Sequence, residues 1–169
     1  VYTLSKLLSI NEKNFIKAIN SFVGLPHRYE IFLRKKNVIF INDSKATSFV
    51  STKYALLNSK NIYWILGGLP KKNDKIILSG IKKNIIKCYL VGKNIKFFQR
   101  QIQNKINFSI TNDLNKTLIK IIKDVKLSNL KKNIILLSPA AASYDQFMNF
   151  EQRGEEFKKL SKLYARKFL

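Results

Sequence analysis

The chain alternates between apolar strand-like runs and amphipathic helical segments, and this alternation restricts the fold more than any other feature. Four apolar runs, NVIFI, IYWIL, IKCYLV and NIILL, are separated by segments whose apolar residues recur at helical spacing. Continuous apolar strands between helices predict a mostly parallel sheet with helices on both faces. We therefore predict a three-layer α/β, Rossmann-like fold, with an antiparallel edge hairpin formed by YEIFLRKKNVIFIND.

The same periodicity predicts where the helices lie. Residues 1–20 should form a helical tail ahead of one domain at 21–169. A short strand is expected near Phe108, and helices are expected at 48–58, near 75–83, at 93–103, at 113–125 and from about 143 to 168.

The last of these helices has its own start signal. Ser143 with Gln146 fits a capping box, which predicts that the helix begins there. Within it we expect Phe147 and Phe150 to pack on the core. We expect Glu151 and Arg153 to lie at the surface or in local ion pairs.

Polar residues and glycines follow several of the predicted strands, in INDSKAT, ILGGLPKK, LVGK and LLSPAAAS. The carboxyl ends of parallel strands share one edge of a sheet, and ligands bind in the crevice there. Any single loop after a strand can be polar without a function. Several such loops together predict a binding site.

The formal net charge of +22 permits two explanations. Dense Lys and Arg attract nucleic-acid phosphates. However, the chain has 27 Lys, 22 Ile and 17 Asn, which A/T-rich codons encode, and only 5 Arg. Arg is the side chain that base and bidentate phosphate contacts favour. We therefore attribute the charge to genome composition rather than to nucleic acid, although the same field would attract a small anionic substrate.

Cysteine and histidine content excludes several kinds of site. With one Cys and one His, the chain can form neither an internal disulfide nor a Cys/His metal cluster. No apolar run reaches about 18 residues, and the N-terminus lacks a secretory signal. No GxxxxGK[ST] phosphate loop or GxGxxG fingerprint occurs. We expect a cytoplasmic monomer without a membrane span.

Two motifs contain candidate binding residues. In GGLPKK, the glycines allow the backbone to approach a ligand, and Lys71 or Lys72 could reach a carboxylate or phosphate. In GLPHRYE, a lone His27 is more typical of a structural residue than of an acid or base. Arg28 suits phosphate recognition, with a surface salt bridge as the alternative.

These motifs resemble one family. GLPHRYE, INDSKAT followed by ST, GG with a lysine, and LLSPAAASYDQFMNFEQRGEEF occur in the order seen in the D-glutamate-adding Mur ligases. The resemblance covers about residues 22–160. Sister Mur ligases carry a different motif in place of NDSKAT, so the resemblance is specific.

The resemblance implies a reaction and a domain context. Such ligases use ATP and Mg²⁺ to phosphorylate the L-alanyl carboxylate of UDP-N-acetylmuramoyl-L-alanine, and the amine of D-glutamate then attacks the acyl phosphate during peptidoglycan synthesis. The chain resembles the C-terminal domain, and residues 1–20 resemble the end of the central ATPase domain. The phosphate loop, the Mg²⁺ ligands and the family's carbamylated lysine belong to that central domain. We therefore expect the chain alone to be inactive, with a truncated remnant or a nucleic-acid-binding module as alternatives.

The resemblance also implies residue roles on the nucleotide side. Arg28 resembles an arginine that reaches the ATP phosphates. Asn42 and Asp43 resemble residues that face the nucleotide. Lys45 and Thr47 resemble residues at the D-glutamate and reaction-centre side, which makes them the candidate catalytic residues, and the resemblance also implies that Thr47 binds D-glutamate.

D-glutamate is expected to bind through a second group of residues. Lys71 resembles the lysine that binds one carboxylate of D-glutamate. Ser143, Tyr144 and Phe150 resemble the segment that holds its other end. A dianionic amino acid requires cations and N–H or O–H donors, which these residues provide.

Overall fold

A computed structural model describes all 169 residues and contains one six-stranded sheet. The spatial order is β1-β2-β6-β3-β4-β5. All neighbouring strands are parallel except β1 and β2, which form the predicted edge hairpin. The strands are β1 (Glu30–Lys35), β2 (Val38–Asn42), β3 (Ile62–Gly67), β4 (Ile85–Val91), β5 (Phe108–Asn112) and β6 (Asn133–Leu137).

Helices cover both faces of this sheet, so the predicted three-layer α/β architecture is confirmed. Trp64 and Leu66 of β3 pack in one core with helices α3 and α4, whereas Tyr63 and Ile65 pack in the other with α5 and α6. This alternation follows from the period of two along a strand. The helices are α1 (Tyr2–Leu7), α2 (Glu12–Ser21), α3 (Phe49–Leu57), α4 (Ile95–Ile102), α5 (Leu114–Lys126) and α6 (Phe150–Phe168).

The predicted helix near 75–83 is wrong. That segment is a loop, followed by a short 3₁₀ turn at Lys82–Asn84. Ile76 and Leu78 are buried while Ile77 between them is exposed, which is the period of an extended chain. The loop is also tied to α4, because the Ile76 N–H donates to the Gln101 side chain at 2.7 Å.

The predicted start of the last helix is also wrong. Residues 143–149 form turns, and α6 begins at Phe150. The N-cap is Asn149, whose side chain accepts a hydrogen bond from the Gln152 N–H at 2.7 Å. Gln152 in turn accepts from the Met148 N–H at 2.7 Å. A reciprocal cap therefore exists, but it lies six residues after the Ser-x-x-Gln sequence that predicted it.

The N-terminal tail differs from the rest of the chain in its burial. It forms the two short helices α1 and α2, and α2 has no buried residue. Its assignment to a neighbouring domain stays a prediction. None of the helices combines the length and apolar character that a membrane crossing requires.

Candidate functional site

The loops after the parallel strands meet at one edge of the sheet, as predicted. The Asp43 N–H donates to the Leu137 carbonyl at 2.8 Å, which joins the end of β2 to the end of β6. Leu69, after β3, and Ala142, after β6, exchange two backbone hydrogen bonds of 2.8 and 3.0 Å. The INDSKAT, GGLPKK and SPAAAS segments are therefore neighbours in space.

Asp43 is held in a fixed orientation at the centre of this edge. Its Oδ2 accepts a hydrogen bond from the Ser138 hydroxyl at 2.6 Å, and its Oδ1 accepts from the Tyr29 N–H at 3.1 Å. Burial raises the pKa of Asp43, and these hydrogen bonds and the charge of Arg28 offset only part of that effect. The carboxylate is therefore a buried charge whose lone pairs are only partly satisfied by the domain.

A cleft of about 470 Å³ opens beside Asp43. Arg28, Asp43 and Lys45 supply its charged lining, while Val50 and Tyr54 of α3 supply an apolar wall. Two cations suit a phosphate, and a carboxylate can accept hydrogen bonds from hydroxyl groups. The geometry thus brings together three of the predicted site residues in a cleft that suits an anion with an apolar part.

Lys45 and Phe150 also lie together, although they are far apart in sequence. The Lys45 ammonium lies 3.7 Å from the centroid of the Phe150 ring, which is a cation–π contact. The Lys45 N–H donates to the His27 carbonyl at 3.0 Å. Thr47, half-buried, follows in the same turn, and its N–H donates to the Lys45 carbonyl at 2.9 Å.

Asn42 is fully buried, and its amide is used inside the domain. Its Nδ2 lies 2.9 Å from His27 Nδ1 and donates to Glu30 at 3.1 Å. Its Oδ1 accepts from the Ser44 N–H at 3.2 Å. Direct nucleotide contact by Asn42 stays a prediction, and its contacts in this structure belong to the support of the neighbouring loops.

The expected surface position of Arg153 is wrong. Arg153 is 2% exposed, and its guanidinium joins two of the loops at the sheet edge. Nε donates to the Ser44 hydroxyl at 2.9 Å, Nη2 to the Ser44 carbonyl at 2.8 Å, and Nη1 to the Ala141 carbonyl at 3.0 Å. Burial lowers the pKa of Arg153 to about 10, with the charge of Asp145 opposing the shift. The residue remains charged at neutral pH.

The residues predicted to bind D-glutamate are less closely gathered. Ser143 is buried, whereas Lys71 and Tyr144 are exposed, and none of the three lines the cleft. The Lys71 loop is nevertheless anchored near Thr47. Asp74 accepts a hydrogen bond from the N–H of the first residue of α3 at 2.8 Å, and its own N–H donates to the Lys71 carbonyl at 3.1 Å.

Comparison with known proteins identifies a group of ligases. No protein-family model matches the chain. It is 37% identical over 161 residues to the UDP-N-acetylmuramoylalanine–D-glutamate ligase of Rickettsia felis, a match that covers 95% of the chain and 36% of that ligase. It is 41% identical over 152 residues to the same-named ligase of Wolbachia sp. subsp. Brugia malayi, covering 90% and 30%. For the ligase of Nitrobacter hamburgensis the identity is 39% over 142 residues, covering 84% and 30%.

Over nearly its whole length, the chain is similar to these ligases. It spans about a third of the length of the curated relatives it matches, so it corresponds to one part of such a ligase. The resemblance seen in the motifs is thereby confirmed.

A second and larger groove, about 1090 Å³, lies between residues 72–77 and α4. Its cations are Lys72, Lys75, Arg100 and Lys105, and its one carboxylate, Asp74, already caps α3. Lys72, the alternative to Lys71, therefore borders this groove and not the cleft. Positive charge alone attracts any anion, so the groove by itself indicates no particular ligand.

Sequence reasoning missed three residues that support the site, Arg153, Ser138 and Asp74. Ser138 was recognised only as the end of a strand, and its hydroxyl orients Asp43. Gly154 is a sequence feature that could have indicated the burial of its neighbour Arg153. A Cβ at Gly154 would lie 2.2 Å from His27 Nδ1, so this glycine near the start of α6 marks close packing against the sheet edge.

Proposed function

We propose that the chain is the C-terminal domain of an ATP-dependent ligase that adds D-glutamate to UDP-N-acetylmuramoyl-L-alanine. The observation that carries this proposal is the cleft at the sheet edge, where Arg28, Asp43 and Lys45 meet. The motif resemblance assigns these three residues to the nucleotide and the reaction centre. The names of the curated relatives support the same reaction.

In the proposed reaction, ATP phosphorylates the L-alanyl carboxylate, and ADP leaves. The amine of D-glutamate attacks the acyl phosphate, so an amide forms and phosphate leaves. Arg28 would bind the ATP phosphates through its planar guanidinium. Lys45 would stabilise negative charge that develops at the reaction centre, helped by a partly buried setting. Asp43 would accept hydrogen bonds from the nucleotide.

D-glutamate would bind between the Lys71 loop and the segment before α6. Lys71 would pair with one carboxylate, and Thr47 would donate its hydroxyl to the amino acid. Ser143, Tyr144 and Phe150 would hold the other end. The hydrogen bond from the start of α3 to Asp74 supports this arrangement, because it connects the Lys71 loop to the turn that carries Thr47.

Mg²⁺ and the triphosphate would be held mainly outside this chain. The chain brings together no group of three or more His, Cys, Asp or Glu side chains that could hold a metal ion. Its sequence also contains no GxxxxGK[ST] phosphate loop. We therefore derive no step from Mg²⁺, and we expect the 169-residue chain alone to release no phosphate from ATP with all substrates present. The setting we propose is the cytoplasm.

The test is a chimera in which this chain replaces the matched 36% of the Rickettsia felis ligase. We expect the chimera to join D-glutamate, and not L-glutamate, to the UDP-linked substrate. Lys45→Met should lower its kcat/KM at least about 100-fold, by analogy with the loss of a group that stabilises transition-state charge. Lys60→Met, at an exposed position that does not line the cleft, is the matched control.

Two results would contradict the proposal. A folded chimera without activity, beside an active parent ligase, would support the reading of the chain as an inactive remnant. Sequence-preferring, salt-sensitive binding of oligonucleotides by the chain would support a nucleic-acid role instead.

A further inference from the structure

Residues 27–29 have an unusual backbone. His27 and Tyr29 have positive φ values of 62° and 47°, which residues other than glycine adopt rarely. Such conformations cost free energy and persist only where surrounding contacts enforce them. Arg28 lies between the two, at the exposed rim of the cleft. The contacts that enforce this backbone therefore also determine where the Arg28 side chain begins.

Glu30, at the start of β1, holds the first residue of this segment, His27, through hydrogen bonds. Its Oε2 accepts from the His27 N–H at 3.0 Å and from the Asn42 amide at 3.1 Å. Its Oε1 accepts from the Lys158 ammonium at 2.9 Å. Burial raises the pKa of Glu30, but the His27 and Lys158 contacts lower it by more, so the pKa lies below its usual value. Glu30 is an ionised acceptor at neutral pH.

Asn42 extends this contact to the His27 ring. Its Oδ1 accepts from the Ser44 N–H, which orients the amide so that Nδ2 faces Glu30 and His27. Nδ2 lies 2.9 Å from His27 Nδ1, and an amide nitrogen can only donate. His27 Nδ1 is therefore the acceptor, and the ring carries its proton on Nε2.

The same segment is also held by the loop that follows β2. The Lys45 N–H donates to the His27 carbonyl at 3.0 Å, and the Tyr29 N–H donates to Asp43 at 3.1 Å. Neither contact serves the His27 N–H, whose acceptor is Glu30. Removal of the Glu30 oxygen would thus leave that donor without a partner and release one side of the strained segment.

We propose that Glu30 is a positioning residue, which holds residues 27–29 in the conformation that directs Arg28 to the cleft. Its effect on catalysis rests on the proposed role of Arg28 at the ATP phosphates. Glu30→Gln keeps an oxygen for the His27 N–H and the Asn42 amide. Glu30→Leu removes it. Lys158→Met removes the ionic partner but leaves both of those hydrogen bonds.

The first measurement is amide hydrogen exchange in the 169-residue chain. We expect the His27 amide to exchange at least about tenfold faster in Glu30→Leu, while the amide of the fully buried Leu90 in the interior strand β4 exchanges at a rate set by global unfolding. Glu30→Gln and Lys158→Met should leave the His27 rate within about twofold of the parent. His27 is the one histidine, so nitrogen-15 spectra report its ring without overlap, and the parent should show the proton on Nε2.

The second measurement separates positioning from folding. In the chimera, Glu30→Leu should raise the KM for ATP at least about tenfold and change kcat less, and Glu30→Gln should restore the parent value. Arg28→Ala should have a much smaller effect in the Glu30→Leu background than in the parent, because the two residues act as a unit.

Additive effects of Glu30→Leu and Arg28→Ala, or an unchanged His27 exchange rate in Glu30→Leu, would overturn the proposal. A parent with the ring proton on Nδ1 would also overturn it. If Arg28→Ala leaves the chimera unaffected, the proposed function fails at Arg28. In that case, the His27 exchange rates still decide whether Glu30 holds the segment.

Discussion

The two sides of the ligand edge differ in how completely the domain holds them. Around the cleft, Asp43 accepts two hydrogen bonds and Arg153 donates three, all within the domain. On the side proposed to bind D-glutamate, the Lys71 and Tyr144 side chains are exposed and form no hydrogen bond or ion pair.

The difference indicates what each side can do without a partner. A side chain fixed by its own domain loses little freedom when a ligand arrives, whereas an exposed lysine must be ordered at a free-energy cost. We therefore expect changes on the cleft side to affect folding and function together. Changes to the exposed Lys71 and Tyr144 side chains should affect ligand binding alone.

The largest effect on stability is expected on the cleft side. Arg153→Met leaves the Ser44 and Ala141 carbonyls without their donor, and should lower the free energy of unfolding by about 3 kcal/mol. Urea unfolding at pH 7 measures the loss. Arg166→Met, at an exposed position of the same helix, should cost less than about 0.5 kcal/mol. Equal, small losses in both variants would show that the buried guanidinium does not hold the two loops.

A smaller effect on stability, of opposite sign, is expected for Asp43. Because burial raises the folded-state pKa of Asp43, its ionised form costs folding free energy above that pKa, and the cost disappears below the unfolded-state value. Asp43→Asn should therefore stabilise the chain at pH 7, by up to about 1 kcal/mol. The gain should shrink as the pH falls toward about 4.

Unfolding of the parent and of Asp43→Asn, measured from pH 7 down to pH 4, tests this sign. A stability difference that grows as the pH falls would contradict it. If Asp43 accepts hydrogen bonds from the nucleotide as proposed, the same substitution should impair the chimera, since an amide has one acceptor oxygen where a carboxylate has two.

The smallest effect on stability is expected at the exposed Lys71. Lys71→Met should change the free energy of unfolding by less than about 0.5 kcal/mol, because the side chain has no partner in the domain. In the chimera it should raise the KM for D-glutamate at least about tenfold, the value of one charged hydrogen bond. Lys72→Met tests the alternative carboxylate ligand. If only Lys72→Met raises this KM, the assignment of Lys71 is wrong.

Some of the site could be predicted because it depends on chain order. Asp43 and Lys45 directly follow an apolar strand, and the rule for parallel sheets is enough to bring them to the ligand edge. Arg153 could not be predicted in this way. It lies among polar residues of α6, and its burial depends on where that helix begins and how it packs. The helical period shows which residues share a face, but not which polar side chain the loops of the sheet edge will cover.

The layered α/β fold could be predicted from the sequence alone, because the apolar periodicity and the order of strands and helices are local properties of the chain. The sequence also determined the family resemblance, through motifs that remain recognisable in a chain rich in Lys, Ile and Asn. Only the tertiary structure decided how INDSKAT is held: by Ser138, Tyr29 and Arg153, which lie at distant positions in the chain. Hydrogen bonds between such distant residues depend on packing geometry, and no local pattern in the sequence encodes that geometry.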